Sequence, residues 1–275
     1  MNIPFWKMHG AGNDFIMVDD RAKTFPVADR AWIASVARRR FGVGCDGVIL
    51  VQPADDTADF RMVFYNPDGS EVEMCGNGAR CVARLANDIG VAGAEMAFDT
   101  VAGEIKATVE GDQVTLQMTE PFDWAFDQSI DIDGTTYTFH QVNSGVPHVV
   151  VEVADVEAID LMKLGAAIRY DARFPKGTNA NFIQITGPDA LRVRTYERGV
   201  EAETLACGTG MVACGLIAGK RGRVTIPVKI TCASGDVLEI AYEDAGEGAG
   251  EGAAHVTLKG PAVHVFAGEL DYPGA

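Results

Sequence analysis

The chain has 275 residues, of which 47% are apolar and 23% charged, a balance that supports one large or two ordinary globular cores without a disulfide or metal staple. Its 23 basic and 39 acidic side chains leave a net charge of −16, which repels nucleic-acid phosphates and anionic lipid and so excludes both as partners. The N-terminus lacks the basic stretch and apolar core of a signal peptide, and no run approaches a membrane span, so a cytoplasmic protein is expected.

Taken in chain order, Phe15-Ile-Met-Val, Gly47-Val-Ile-Leu-Val and Phe60-Arg-Met-Val-Phe-Tyr are short apolar runs bounded by turn residues and predict strands. Helical periodicity covers Ala28 to Arg39. Cys75-Gly-Asn-Gly then leads into an apolar helical stretch, Ala79 to Asn87, and Val114-Thr-Leu-Gln-Met alternates like a half-buried strand. In the second half His148-Val-Val-Val, Asn181-Phe-Ile-Gln-Ile and Leu191-Arg-Val-Arg-Thr-Tyr predict strands, and Val156 to Ile168 predicts a helix. Cys207-Gly-Thr-Gly opens a further helix, Met211 to Gly219, apolar nearly all round as a buried helix should be. The segment from Glu243 to Gly252 reads as an acidic, flexible hairpin loop.

These elements repeat once. Phe41-Gly-Val-Gly-Cys-Asp aligns with Phe174-Pro-Lys-Gly-Thr-Asn, Phe60 with Leu191, Cys75-Gly-Asn-Gly with Cys207-Gly-Thr-Gly, and Val101-Ala-Gly-Glu with Ala233-Ser-Gly-Asp. The offset stays close to about 132 positions in all four, in the same order, which marks a duplication rather than a solenoid. The expected fold is α/β of the α+β type. It has two pseudo-symmetric domains from an internal duplication, each a mostly antiparallel curved sheet or barrel around a central helix. The expected boundaries are 1–119 for the first domain and 120–262 for the second, with 263–275 returning to the first as a strand.

Each repeat places a cysteine just before Gly-x-Gly at the start of a buried helix. The first N–H groups of a helix have no acceptor within it, and the dipole there favours negative charge. Such a terminus binds a carboxylate and lowers a thiol pKa, and glycines let the ligand approach the backbone. A thiol and a carboxylate cradle, each present twice, suit inversion of an amino acid's α-carbon. One group removes a proton from one face while the other supplies a proton to the opposite face, so Cys75 and Cys207 are expected to face each other between the two domains. No metal is expected. Cys81 lies about 240° round a helix from Cys75, Cys214 lies about two turns past Cys207, and there is no Cys-x-x-Cys. Cys45, Cys81, Cys214 and Cys232 read as small core residues. Neither Gly-x-Gly-x-x-Gly nor a Gly-Lys-Ser/Thr ending is present, so no dinucleotide or phosphate loop is expected.

Four motifs give the chain a resemblance to the diaminopimelate epimerases over nearly its whole length. They are Lys7-Met-His-Gly-Ala-Gly-Asn-Asp-Phe, the run from Tyr65 through Cys75-Gly-Asn-Gly to Cys81, Gly177-Thr-Asn-Ala-Asn-Phe, and the run from Tyr196-Glu-Arg to Cys207-Gly-Thr-Gly. The resemblance implies interconversion of LL- and meso-diaminopimelate in lysine and cell-wall precursor synthesis, without pyridoxal phosphate or any other cofactor, by a homodimer. It implies that Cys75 and Cys207 are the acid/base pair and that His148 and Glu197 tune or orient them. It further implies that Asn13, Asn66 and Asn179 hydrogen-bond the substrate. Arg198 would pair with the distal carboxylate, and backbone N–H groups at Gly76, Asn77, Gly208 and Thr209 would cradle the reacting one. Two positions depart from the family pattern. Val146 stands where many members carry Asn, and Gly47 where many carry Gln. Two alternatives remain open from sequence, a proline racemase-like enzyme, whose substrate would leave Arg198 nothing to bind, and a non-catalytic redox or binding relative.

Overall fold

The computed structural model describes residues 1–55, 57–245 and 252–274. The chain divides into two compact units, Met1–Leu116 with Gly260–Ala275, and Gln117–Lys259.

The first unit runs β1 (Asn2–Gly10), β2 (Asn13–Asp19), α1 (Arg30–Ala37), β3 (Gly47–Gln52), β4 (Phe60–Tyr65), β5 (Glu71–Val72), α2 (Gly76–Asp88), β6 (Glu95–Thr100), β7 (Gly103–Glu110) and β8 (Gln113–Gln117). Most neighbours are antiparallel, but β2–β3 and β4–β6 are parallel, and α1 and α2 lie in those two connections. Parallel neighbours cannot be joined by a tight turn, so each such step takes a helical crossover. The two helices cover opposite faces of the central strands. Ile16, Val18, Val48, Leu50 and Val63 pack with Ile33 and Val36 of α1. From the other face, Ile49, Met62 and Phe15 crowd Gly78 of α2. Burial on both faces explains why β2 and β3 are unbroken apolar runs instead of alternating ones.

The second unit repeats this winding. Its elements are β9 (Phe122–Ile132), β10 (Thr135–Asn143), β11 (Pro147–Glu152), α3 (Leu161–Arg169), β12 (Asn179–Gly187), β13 (Ala190–Glu197), β14 (Ala202–Thr204), α4 (Gly208–Lys220), β15 (Val228–Thr231), β16 (Val237–Asp244) and β17 (Ala253–Pro261). Here β11–β12 and β13–β15 are the parallel pairs, spanned by α3 and α4. Val149, Val151, Ala180 and Phe182 pack with Leu161, Leu164 and Ile168 of α3. Helices α2 and α4 each touch strands all along their own unit's sheet: β1, β2, β3 and β7 for α2, and β10 to β13, β15 and β16 for α4. The class is mixed α/β, mostly sheet, with two units of like topology, each curved about one central helix.

The units differ at one edge. In the second unit β9 joins β10 by a hairpin whose turn, Asp133-Gly134, takes positive φ at both residues. In the first unit the corresponding neighbour of β1 is β18 (Val263–Asp271), which pairs antiparallel from Asn2↔Asp271 to His9↔Val263.

Helices α1 and α3 start later than their periodicity suggests. The side chains of Asp29 and Asp160 accept from the backbone N–H groups of Trp32 and Lys163, so each aspartate caps its helix, and the residues before it form turns and bends. The acidic segment after Glu243 lies mostly outside the described residues, and the strands beside it, β16 and β17, pair antiparallel. Among the described residues no helix is long and apolar enough to cross a membrane.

Candidate active site

In the first unit Cys75 is the N-cap residue of α2, with extended backbone (φ −140°, ψ 123°) and a carbonyl that accepts from Ala79 N–H at 2.7 Å. The following N–H groups, at Gly76 and Asn77, have no acceptor within the helix. The Cys75 sulfur lies 3.4 Å from Oδ1 of Asn13, which opens β2. That oxygen also accepts from Asn77 Nδ2 at 3.2 Å. The amide nitrogen of Asn13 donates to Asp46 at 2.8 Å, and Asp46 and Asp14 share the Arg39 guanidinium. Lys7, buried beneath them, pairs with Asp14 at 2.6 Å. Its hydrogen bonds to Arg39 and Lys7 outweigh burial and hold the Asp14 carboxyl below its ordinary range.

In the second unit Cys207 holds the matching place before α4 (φ −110°, ψ 107°), and its carbonyl accepts from Met211 N–H at 2.9 Å. Its sulfur lies 3.7 Å from the Thr209 hydroxyl. That hydroxyl is 2.9 Å from His148 Nε2, and His148 Nδ1 is 3.2 Å from Asn181 Nδ2. His148 is fully buried on β11, and this burial, helped by the charge of Arg198, pulls its pKa down to about 3. The imidazole is therefore neutral near pH 7. Gly210 leaves no space for a side chain, since a Cβ there would sit 2.7 Å from Asn181 Oδ1 and 3.3 Å from the Cys207 sulfur.

At the end of β13, Glu197 is largely buried, which raises its carboxyl pKa. Arg198 follows it. The Arg198 N–H donates to Asn179 Oδ1 at 2.8 Å and its guanidinium reaches Lys176 O at 3.3 Å, while Asn179 Nδ2 donates to Pro147 O at 3.1 Å. The structure thus brings His148, Thr209 and Cys207 into one chain of contacts, and Asn179 and Arg198 into another. Asn66 sits in the turn after β4 and its amide faces Ser70 Oγ at 3.4 Å. Four residues that sequence reasoning missed hold this frame. Asp46 orients Asn13, Asn181 and Thr195 orient His148, and Ser144 Oγ donates to Thr209 O at 2.8 Å. Asn181 carried a signal, because it is the second polar residue at period two, after Asn179, in an otherwise apolar buried strand.

Gly47 has a packing reason for its missing side chain. A Cβ there would lie 2.2 Å from the Phe64 ring and 2.9 Å from Tyr65 O. Gly47→Ala should therefore lower stability by about 1–3 kcal/mol, and Phe64→Ala in the same chain should recover part of the loss. Urea midpoints would read this, and an unaltered midpoint for Gly47→Ala would show that the ring moves aside freely.

A family profile described as "Diaminopimelate epimerase" matches residues 5–123 and 140–265. The chain is 43% identical over 278 residues to the diaminopimelate epimerase of Aquifex aeolicus, covering 97% of each. The chain belongs to the diaminopimelate epimerase family. Solved structures outside the diaminopimelate epimerases share the fold. A probable proline racemase from Agrobacterium radiobacter superposes with a TM-score of 0.71 at 18% identity, covering 98% of this chain and 93% of its own. A phenazine biosynthesis protein of the PhzF family from Bacillus anthracis gives 0.75 at 14%, covering 99% and 100%. At such identities the likeness concerns the fold alone.

Proposed function

We propose that the chain interconverts LL- and meso-diaminopimelate without pyridoxal phosphate or metal, using Cys75 and Cys207 as a thiol/thiolate acid/base pair. The observation that carries this reading is the same device built twice, a cysteine capping an inward helix beside Gly-x-Gly, in a chain of this family. The α-proton of an amino acid is far less acidic than a thiol. The carbanion formed on its removal therefore needs strong electrostatic stabilisation at the α-carboxylate, which the N-termini of α2 and α4 supply through Gly76, Asn77, Gly208 and Thr209. Asn13, Asn66 and Asn179 hold the substrate's polar groups, His148 and Glu197 orient or tune the thiols, and the Arg198 guanidinium suits a distal carboxylate. The product feeds lysine and peptidoglycan precursors. The same reading takes the enzyme to be a cytoplasmic homodimer, an assembly state that sedimentation equilibrium would check.

The shared fold makes proline racemisation the natural rival. Proline has no distal carboxylate, so Arg198 favours diaminopimelate. The test is solvent deuterium incorporation at Cα, followed by NMR, with reductant and no added cofactor, for LL-diaminopimelate and L-proline in parallel. Exchange and inversion of diaminopimelate alone is the expected result. Exchange of proline alone would move the assignment to the racemase, and inertness toward both would remove the proposed activity.

A further inference from the structure

The turn that carries Glu197 and Arg198 has a counterpart in the first unit, and the two turns are held by different means. Between Tyr65 and its partner Glu71 the first unit runs Asn66-Pro67-Asp68-Gly69-Ser70. That turn closes on itself, since Asp68 Oδ1 accepts from Ser70 N–H at 2.8 Å and from Ser70 Oγ at 2.6 Å. Gly69 supplies its left-handed residue, at φ 78°.

The second turn, between Tyr196 and its partner Glu203, is one residue longer, and at the matching place it puts Glu201 in the left-handed region, at φ 58°. A side chain there costs strain that glycine avoids, and such a residue persists where the surroundings use its side chain. Glu201 Oε1 accepts from Gly199 N–H at 3.0 Å inside the turn. The same oxygen accepts from Nε and Nη2 of Arg169 at 3.2 and 3.0 Å. Arg169 is the last residue of α3, a helix packed on the core through Leu161, Leu164 and Ile168, so the ion pair ties the turn to a fixed element. The Tyr170 ring supports the Arg169 guanidinium at 4.9 Å. A second segment is held by the same guanidinium, which fills the space beside Gly177, where a Cβ would overlap Arg169 Nη1. Gly177 stands two residues before Asn179, the first residue of β12.

Arg198 lies where these two segments meet. Its backbone N–H donates to Asn179 Oδ1 at 2.8 Å, and its guanidinium reaches Lys176 O at 3.3 Å. A guanidinium on a long, flexible stem selects a carboxylate well only when the backbone beneath it is held in place. The Arg169–Glu201 pair holds that backbone from both sides, at Gly199 and Glu201 in one segment and at Gly177 in the other.

We infer that Arg169 and Glu201 are positioning residues for Arg198, and that their ion pair sets the preference for amino acids carrying a second, distal carboxylate. This rests on the proposed role of Arg198 as the partner of that carboxylate. The pair acts through Arg198, so its loss weakens substrate binding and leaves the proton transfers at the α-carbon as they were. An ion pair that served stability alone would show the reverse pattern, a lower melting temperature with KM unmoved.

The experiment is steady-state inversion of LL-diaminopimelate by Glu201→Gly, Arg169→Met, the double variant and Arg198→Ala, each with its thermal melt. Glu201→Gly should melt close to the natural chain, because glycine takes φ 58° without strain. Its KM should rise about tenfold while kcat changes by less than about twofold, the pattern of lost ground-state binding. Arg169→Met should raise KM to a similar extent, and the double variant no further, because both side chains act through one contact. An unmoved KM in Glu201→Gly would overturn the inference. So would KM increases that multiply in the double variant, since the two side chains would then act separately. If Arg169→Met does not fold, Glu201→Gly alone decides. Arg198→Ala separates the clamp from the role it serves. A raised KM there beside an unmoved one in Glu201→Gly removes the clamp alone, whereas an unmoved KM in Arg198→Ala removes the distal-carboxylate role of Arg198 and the clamp with it.

Discussion

Replacing either cysteine with alanine is expected to lower inversion of LL-diaminopimelate by about 1000-fold or more, the scale of losing an acid/base group from the transition state. The two variants should not be equivalent in every assay. With Cys75 removed, Cys207 still lacks nothing for proton abstraction from its own face, so solvent hydrogen should wash into one stereoisomer without inverting it. With Cys207 removed, the same should hold for the other stereoisomer. The losses should be chemical and not structural. The substituted atom is a single sulfur at a helix cap, and neither cysteine's side chain bonds to its helix's N–H groups. Binding of diaminopimelate, followed by calorimetry, should therefore survive. Near-normal inversion in either alanine variant would sink the two-thiol mechanism.

Acid should destabilise the second unit through His148. An unfolded histidine binds a proton below about 6.5, whereas the buried one resists protonation down to about 3, first because of burial and then because of Arg198. The folded-state pKa is depressed, so the unfolded chain holds more protons throughout this window. Stability is then intact above about pH 6.5 and falls as the pH drops toward 3. The size of the effect is on the order of 3–5 kcal/mol for a group so completely buried. Asp14, held below its ordinary range, adds a loss at lower pH, so the comparison must be made between variants. Urea unfolding at pH 7 and pH 4 should show a larger drop for the natural chain than for His148→Gln. Equal drops would mean that His148 is protonated in the native state at little cost.

Much of the fold could be read from sequence because burial on both faces leaves a plain mark. Phe15–Val18 of β2, Val48–Val51 of β3 and Val149–Val151 of β11 are apolar without a break, and the capping cysteines with their glycines stand out at both helix starts. The duplication was visible because positions with special backbone needs recur. Gly103 and Gly235 both turn the chain at positive φ between paired strands. The hairpin of β9 and β10 carries a mark that the strand reading passed over. Most of β9 is exposed, yet Phe122, Trp124, Phe126, Ile130 and Ile132 recur at period two, and Asp133-Gly134 follows as a turn signal. In the site, the residues that cap helices were legible, while those that orient them were not. Asn181 and Thr195 meet only because β12 and β13 pair in one register. Arg80 reads as a surface charge on a helix, yet it is wholly buried, its guanidinium taken by Asn77 Oδ1 and by the carbonyls of Gly76 and Pro261.

The seat of β18 beside β1 has a consequence for synthesis. Asn2 pairs with Asp271, so a strand made among the first residues waits for one made among the last. All the strands of the second unit, β9 included, emerge from the ribosome before that closing strand does. The second unit can therefore complete its sheet during translation, while the first, though synthesised earlier, keeps the β1 edge open until the final strand arrives. Chain order and folding order are inverted, and β1, the strand most in need of protection from wrong pairing, is made before all of β2 to β18.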